Sequence, residues 1–368
     1  MDVQFLGTGG LAGWPQAGCR CASCMRAAAA GRGRRPGGVL VDGRLRIDPG
    51  QPLQPATGYR IERLPGGWDI TGRDGARLLV AAAPGAAPGP PAGTRPFDLV
   101  LLDLLGSAAQ LGALRAGGLV RADTVAVALC ADHRISSEPE LARRCRLWRA
   151  VVPADGTTLS TSGRAEDGIA VDGAEDGIAV IPHRTLVLGG ARSGKSREAE
   201  LRLAAEPRVT YLAAGPWPDG AQAGSPGGPD ADWALRVAAH RAARPGWWPT
   251  VESTDVAGAL RRLRGAVLID GIGTWLAAVM TEAGAWDEPA AAGAGDRIAA
   301  RVDELITAWR QASARVVAVS DEVGAGVVPA TAAGRQFRDQ LGWLNQRLAA
   351  ESEETVLVVA GRVLSLPT

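Results

Sequence analysis

From Gly189 to Ser196 the chain reads Gly-Gly-Ala-Arg-Ser-Gly-Lys-Ser, after the apolar run Thr185–Leu188 and before an amphipathic stretch from Lys195 to Ala205. A strand that ends in glycines and turns straight into a helix has few uses. The glycines let successive backbone N–H groups curl around phosphate oxygens, and the helix N-terminus adds partial positive charge where an anion would sit. The spacing G-x-x-x-x-G-K-[ST] is specific in this setting, so the segment reads as a P-loop rather than an ordinary glycine-rich turn. In that reading Gly189, Gly190, Ala191, Arg192, Ser193 and Gly194 surround the phosphates, Lys195 holds the β- and γ-phosphates, and Ser196 offers its hydroxyl to Mg²⁺.

Beyond the loop the same rhythm continues. Strands are expected at Val209–Ala213, Ala266–Asp270, Val316–Ser320 and Thr355–Ala360, and helices over 232–243, from Trp275, over 296–313 and over 334–351. Apolar, β-branched runs alternating with amphipathic helices imply an α/β domain of the P-loop NTPase (RecA-like) kind, a mostly parallel sheet with helices on both faces. A second acidic group for the metal should end a strand neighbouring the loop, and Val267-Leu268-Ile269-Asp270 supplies one. The alternative role for Asp270 is a helix N-cap.

At 368 residues the chain has room for two domains. Between them lies a short tandem copy, Ala165-Glu-Asp-Gly-Ile-Ala-Val171 repeated as Ala174-Glu-Asp-Gly-Ile-Ala-Val180. So recent a duplication is tolerated best in an exposed connection, which divides the chain into residues 1–158, a linker over 159–183, and 184–368. Gly215–Pro229, rich in Gly, Pro, Ala and Asp, reads as a mobile loop of the second domain beside the active site, and the Ala/Pro/Gly run Ala82–Thr94 as a surface loop. With 40 basic and 39 acidic residues no global field attracts nucleic acid or an anionic membrane. Neither a secretory signal nor a membrane-spanning run is visible, so a cytoplasmic protein is expected, its five cysteines reduced unless they bind metal.

His240 is one of three histidines, and Arg236, His240 and Arg244 recur at i, i+4, i+8 on one expected helix face. Two guanidinium groups beside an imidazole suit phosphate better than metal. An imidazole nitrogen can attack an α-phosphorus and carry a nucleotidyl group as a phosphoramidate, splitting one transfer into two. Spacing alone leaves an equal alternative, a solvated basic face with an incidental histidine.

Three motifs add to this. The P-loop has the interior Ala191-Arg192-Ser193; Arg236-Val-x-x-His240-Arg-x-x-Arg244-Pro245 continues into Trp248, Thr250 and Glu252; and Asp321-Glu322-Val323-Gly324-x-Gly326-Val-Val-Pro329 leads to Arg335-x-Phe337-Arg338-Asp339 and Gly342-x-x-Asn345-Gln346-Arg347. With these, the second half resembles the bifunctional adenosylcobinamide kinase / adenosylcobinamide-phosphate guanylyltransferases of cobalamin biosynthesis. The resemblance implies that His240 is the residue guanylylated. It also implies that Ala213, Ala214, Gly215, Arg241, Ala242, Ala243, Arg244 and Glu252 contact the nucleotide, and that Asp270 is the strand-end carboxylate. Implied too are adenosylcobinamide and its phosphate as substrates, ATP or GTP with Mg²⁺, and a homo-oligomer, a trimer in the family. Asp321 stands where an asparagine is usual and the loop before Asp230 is long; both departures are expected to lie clear of the P-loop and His240.

The first half opens Phe5-Leu-Gly-Thr-Gly-Gly10, then Gly13-Trp14-Pro15 and Cys19-Arg-Cys21-Ala-Ser-Cys24, with Ala131-Asp132-His133 further on. It resembles metallo-β-lactamase-fold phosphodiesterases of the phosphonate-metabolism type. Those hydrolases need an H-x-H-x-D-H motif, and His133 is the one histidine in this half. A degenerate, non-hydrolytic domain is therefore expected, against the alternative of a live phosphodiesterase. Cys19, Cys21 and Cys24 suggest a structural Zn²⁺ site, with His133 or Cys130 as fourth ligand; free thiols are the other reading. For the whole chain the alternatives to a bifunctional transferase are a nucleotide-binding regulator without turnover and a guanylyltransferase that has lost its kinase step.

Overall fold

The structure is a computed structural model that describes residues 1–82, 95–161, 183–215, 244–287 and 290–367. The tandem copy, most of both Gly/Pro-rich loops and the expected helix over 232–243 lie outside the described residues. The chain forms two compact units, Met1–Ala179 with Ala204–Pro207, and Val180–Leu203 with Arg208–Thr368.

Two sheets make the first unit. The smaller takes β1 (Asp2–Gly7), β2 (Gly38–Val41), β3 (Leu45–Ile47) and β9 (Thr158–Ser160) in the antiparallel order β3-β2-β1-β9. The larger runs β4 (Arg60–Leu64), β5 (Gly67–Thr71), β6 (Arg77–Ala81), β7 (Leu99–Leu102) and β8 (Val125–Ala128) in sequence order, antiparallel to β6 and parallel beyond it. Alternate residues of each sheet share one core: Val3, Phe5, Val39 and Val41 meet Ile70, Leu78, Val80, Leu99 and Leu101. Period-two burial in β1 follows from this one-sided packing. Helices α1 (Ala22–Ala29), α2 (Leu104–Ser107), α3 (Ala109–Ala116) and α4 (Glu138–Leu147) connect the strands.

The second unit is built on one seven-stranded sheet. Its strands are β10 (Arg184–Gly189), β11 (Val209–Ala213), β12 (Thr250–Glu252), β13 (Ala266–Asp270), β14 (Arg315–Asp321), β15 (Glu354–Val359) and β16 (Arg362–Leu366). The order is β12-β11-β13-β14-β10-β15-β16, parallel except for the antiparallel edge strand β16. Helices α5 (Lys195–Leu203), α6 (Val256–Arg262), α7 (Ile272–Glu282), α8 (Ala294–Arg310) and α9 (Ala332–Ala350) link them. Two separate cores, one with Leu186, Leu212, Ile269 and Ala318, the other with Val187, Tyr211, Leu268 and Val317, lie against opposite faces of the strands. Burial on both faces explains why these strands read as continuous apolar runs.

Three elements of this unit escape the sequence expectation: β12, α6 and β16. Strand β12 is three residues long and α6 seven, too short for a periodic signal. Helix α7 begins at Ile272, not Trp275, because Gly271 at φ +95° turns the chain immediately after β13. Among the described residues no helix is long and apolar enough to cross a membrane.

Candidate functional site

The carboxyl ends of the parallel strands bring the site together. Register pairs Gly189 with Asp321, Ala213 with Glu252, and Ala213 with Asp270, so residues far apart in the chain share one sheet edge, where open α/β sheets bind ligands.

The loop between β10 and α5 is a tight cradle. A Cβ on Gly189 would lie 2.4 Å from Ser193 Oγ and 2.8 Å from the Val358 carbonyl, and Gly194 sits at φ +100°, so both positions need glycine. The Gly361 N–H donates to the Ser193 carbonyl at 2.8 Å and the Ser193 N–H to the Gly190 carbonyl at 3.2 Å. Ser193 Oγ is buried and has no hydrogen-bond partner among the described residues. Nothing stands within 4 Å of a Cβ on Gly190, which leaves that flank of the loop open.

Asp270 does not cap a helix. The N-cap of α7 is Gly271, and the Asp270 carboxylate accepts instead from the Tyr211 hydroxyl. Its strand is not next to β10 either, because β14 runs between them. Burial, then the Asp270 charge, pushes the Tyr211 phenol above its ordinary value, so it stays a donor. Arg244 lies over the Tyr211 ring at 3.7 Å and donates from Nη2 to Thr250 Oγ1 at 2.8 Å. Glu200, one helical turn after Ser196 on α5, is pushed up to about 7 by burial and then by the nearby Asp270 charge, with Arg244 and Arg197 acting the other way. Neither Tyr211 nor Glu200 belongs to a motif the sequence displays. The one signal was a tyrosine inside an apolar strand, a residue whose hydroxyl needs a partner when buried.

Ala213 ends β11 and Ala214 and Gly215 follow it; Ala214 is fully buried, its N–H on the Asp270 carbonyl at 3.1 Å. Glu252 ends β12 and is exposed. His240, Arg241, Ala242 and Ala243 lie outside the described residues.

Asp321 corrects an expectation. Far from lying clear of the P-loop, its Oδ1 is 2.9 Å from Lys195 Nζ. The residues of the surrounding motif hold the chain there: Asn345, buried on α9, accepts from Ser320 Oγ at 2.6 Å and donates to the Asp321 carbonyl at 3.0 Å. Arg338 donates to the Gly324 carbonyl at 2.6 Å, and Arg335 to the Pro329 and Ala330 carbonyls at 3.0 and 2.8 Å. These polar residues shape the loop after β14.

In the first unit, ligand atoms of Cys19, Cys24 and His133 lie within 4.8 Å of one another. Ser23 Oγ, donating to the Ile135 carbonyl at 2.5 Å, fastens the start of α1 to the His133 segment. Cys21 caps α1, its Sγ accepting from the Cys24 N–H at 3.4 Å. Cys130 is elsewhere: its thiol donates to the Ala82 carbonyl at 3.2 Å and burial pushes it up to about 12. Of the two expected fourth ligands, only His133 joins Cys19 and Cys24, and the expected ligand Cys21 lies outside that group. At the end of β7, Arg134 bridges Asp103 at 2.9 and 3.0 Å and Asp132 at 2.8 Å.

Residues 185–366 match the family model described as cobinamide kinase / cobinamide phosphate guanyltransferase. Similar curated proteins include the bifunctional adenosylcobalamin biosynthesis protein CobP of Pseudomonas aeruginosa, 36% identical over 189 residues, which cover 50% of this chain and 96% of the relative. The bifunctional adenosylcobalamin biosynthesis proteins CobU of Escherichia coli and Salmonella typhimurium are each 36% identical, covering 48% of this chain and 95% of the relative. Among solved structures, Zn²⁺-bound PqqB from Methylobacterium extorquens aligns over 44% of this chain and 100% of its own at a TM-score of 0.30 and 16% identity. Nearly the whole length of each curated relative is thus present in the second half, and the chain belongs to the cobinamide kinase / cobinamide phosphate guanyltransferase family.

Proposed function

We propose that the second unit phosphorylates adenosylcobinamide and then transfers GMP to the product, giving adenosylcobinamide-GDP. The observation that carries this is the P-loop at the carboxyl edge of the sheet, with Asp270 at the same edge held by Tyr211 under Arg244, in a chain of this family. In the first step the hydroxyl of the aminopropanol arm attacks the γ-phosphorus of ATP or GTP and the nucleoside diphosphate leaves. Lys195 and the loop N–H groups offset charge on the transferred group and hold it in line. Oxygen donors of the Ser196 and Asp270 kind suit Mg²⁺, which would neutralise phosphate charge there. In the second step an imidazole nitrogen of His240 attacks the α-phosphorus of GTP and pyrophosphate leaves. A phosphate oxygen of adenosylcobinamide phosphate then attacks the phosphoramidate, freeing the imidazole and forming the new pyrophosphate linkage. Arg241 to Arg244 and Glu252 are assigned to the guanine nucleotide.

Incubating the full chain with adenosylcobinamide and either ATP or GTP should yield the phosphate, and GTP should carry it on to adenosylcobinamide-GDP. Phosphate without the GDP product would leave a kinase only, and neither product with either nucleotide would leave a nucleotide-binding regulator. The reading also carries a cytoplasmic homo-oligomer, a trimer by resemblance.

The first unit is proposed to be a degenerate metallo-β-lactamase-like domain with a structural zinc site built on Cys19, Cys24 and His133, to which Cys21 would turn as the fourth ligand. Thiolates and an imidazole suit Zn²⁺. Metal analysis of the purified protein should find about one zinc per chain, the content of a closed four-ligand site, and Cys19→Ser should lose it. A Cys19→Ser protein with full metal content would exclude the site.

A further inference from the structure

The P-loop lysine already has a counter-charge. Lys195 Nζ lies 2.9 Å from Asp321 Oδ1 and 3.2 Å from the Gly190 carbonyl, with 15% of the side chain exposed. Strand pairing places the carboxylate there, since Asp321 ends β14 in register with Gly189 at the end of β10. Two bonds set the backbone there and one close approach borders the carboxylate. Asn345 Nδ2 donates to the Asp321 carbonyl at 3.0 Å, the Glu322 N–H donates to the Gly189 carbonyl at 3.1 Å, and a Cβ on Gly273 would come within 3.0 Å of Asp321 Oδ2, at the first turn of α7. These contacts fix the backbone at Asp321, and its side chain, 40% exposed, rests against the first turn of α7.

A P-loop lysine serves the β- and γ-phosphates. An incoming triphosphate must therefore draw Lys195 away from Asp321 and then rest beside the carboxylate it has released. Loss of the ion pair and repulsion between like charges both fall on the terminal end of the phosphate chain, and both act against binding.

Resting on the phosphate-site reading of this loop, we propose that Asp321 is a specificity-determining residue of the nucleotide site, which holds Lys195 when no nucleotide is bound and weakens binding of a triphosphate more than of a diphosphate. It does so by competing for one cation, without touching the base or ribose. Strong affinity for the nucleotide must then come from other contacts, and occupancy must follow cellular nucleotide concentration more closely than it would with a neutral residue here.

The test measures GTP and GDP binding by calorimetry for the full chain, Asp321→Asn and Asp321→Ser, at low and high salt. A pair as exposed as this one is worth up to about 1 kcal/mol, so each variant should bind GTP about fivefold tighter. GDP should gain less, and the gain should shrink as salt screens the carboxylate. Two variants of different shape separate the charge from any packing effect, and unchanged melting temperatures check the fold. Equal or weaker GTP binding in both variants would overturn the proposal, as would an equal gain for GTP and GDP. If neither the wild type nor the variants bound GTP, the phosphate site itself would fall and the proposal with it.

Discussion

His240→Ala is expected to take up no covalent label from α-labelled GTP, while still converting adenosylcobinamide to its phosphate. The separation rests on the different needs of the two steps. Phosphoryl transfer from the γ-position depends on Lys195, the loop N–H groups and in-line placement of the acceptor, none of which His240 supplies. Guanylyl transfer through an enzyme-bound GMP needs a nucleophile, and alanine has none. Removing a covalent nucleophile costs at least about a thousandfold in kcat where it has been measured in other enzymes, so adenosylcobinamide-GDP formation should fall by that much or more. Tyr211→Leu should weaken the same half-reaction less, because it removes the ring on which Arg244 lies and the hydroxyl on Asp270 but leaves the imidazole. Covalent label on His240→Ala, stable to base and released by acid as a phosphoramidate would be, would place the nucleophile on another residue and end this mechanism.

How far the sequence led depends on what kind of physical signal each residue leaves. The P-loop was legible because its function constrains backbone shape, and shape requires glycine: Gly189 and Gly194 are forced by close approach and by positive φ. Strands buried on both faces were legible as apolar runs, and Asp270 stood out as the acid ending one of them. Contacts that depend on strand order were not legible. Nothing in the spacing from Lys195 to Asp321 shows that β14 lies directly beside β10, yet this neighbour relation is what sets a carboxylate on the lysine. For the same reason Asp270 looked like the acid of an adjacent strand when its strand is one removed. His133 is a partial case: the sequence offers it and Cys130 equally as a partner for the cysteines, and the fold of the first unit brings His133 to Cys19 and Cys24. The motif residues Arg335, Arg338 and Asn345 are visible as a pattern, but their bonds to the carbonyls at and after the end of β14 arise only in the folded loop.

The largest effect on stability is expected at Arg202, a residue with no part in the chemistry. It sits on α5, the helix that carries Lys195 and Ser196, and is 2% exposed. Its guanidinium bonds to Glu198 at 2.9 Å and grips both oxygens of Glu354 at 2.6 and 2.9 Å, tying the helix to the start of β15. Deleting one member of a buried ionic group leaves its partners uncompensated, so Arg202→Ala should cost about 3–5 kcal/mol. For a domain of this size that lowers the melting temperature by roughly 10 °C. Arg202→Met should do little better, since the stem is restored but two carboxylates still face each other; adding Glu198→Gln and Glu354→Gln should recover much of the loss. Acid gives an independent check. Burial alone would raise the Glu354 carboxyl, but hydrogen bonds from His183 and Arg202 with their charge hold it down at about 2, and Arg184 holds Glu353 at about 2. A carboxyl whose folded value is depressed contributes its full stability above its unfolded value, about 4.3 for glutamate, and loses it as pH falls toward 2. The gap between wild type and Arg202→Ala should therefore be widest near neutral pH and close over that interval. A gap under about 1 kcal/mol at pH 7, the range of an exposed pair, or one that did not change with acid, would mean that this ion group does not hold the P-loop helix in place.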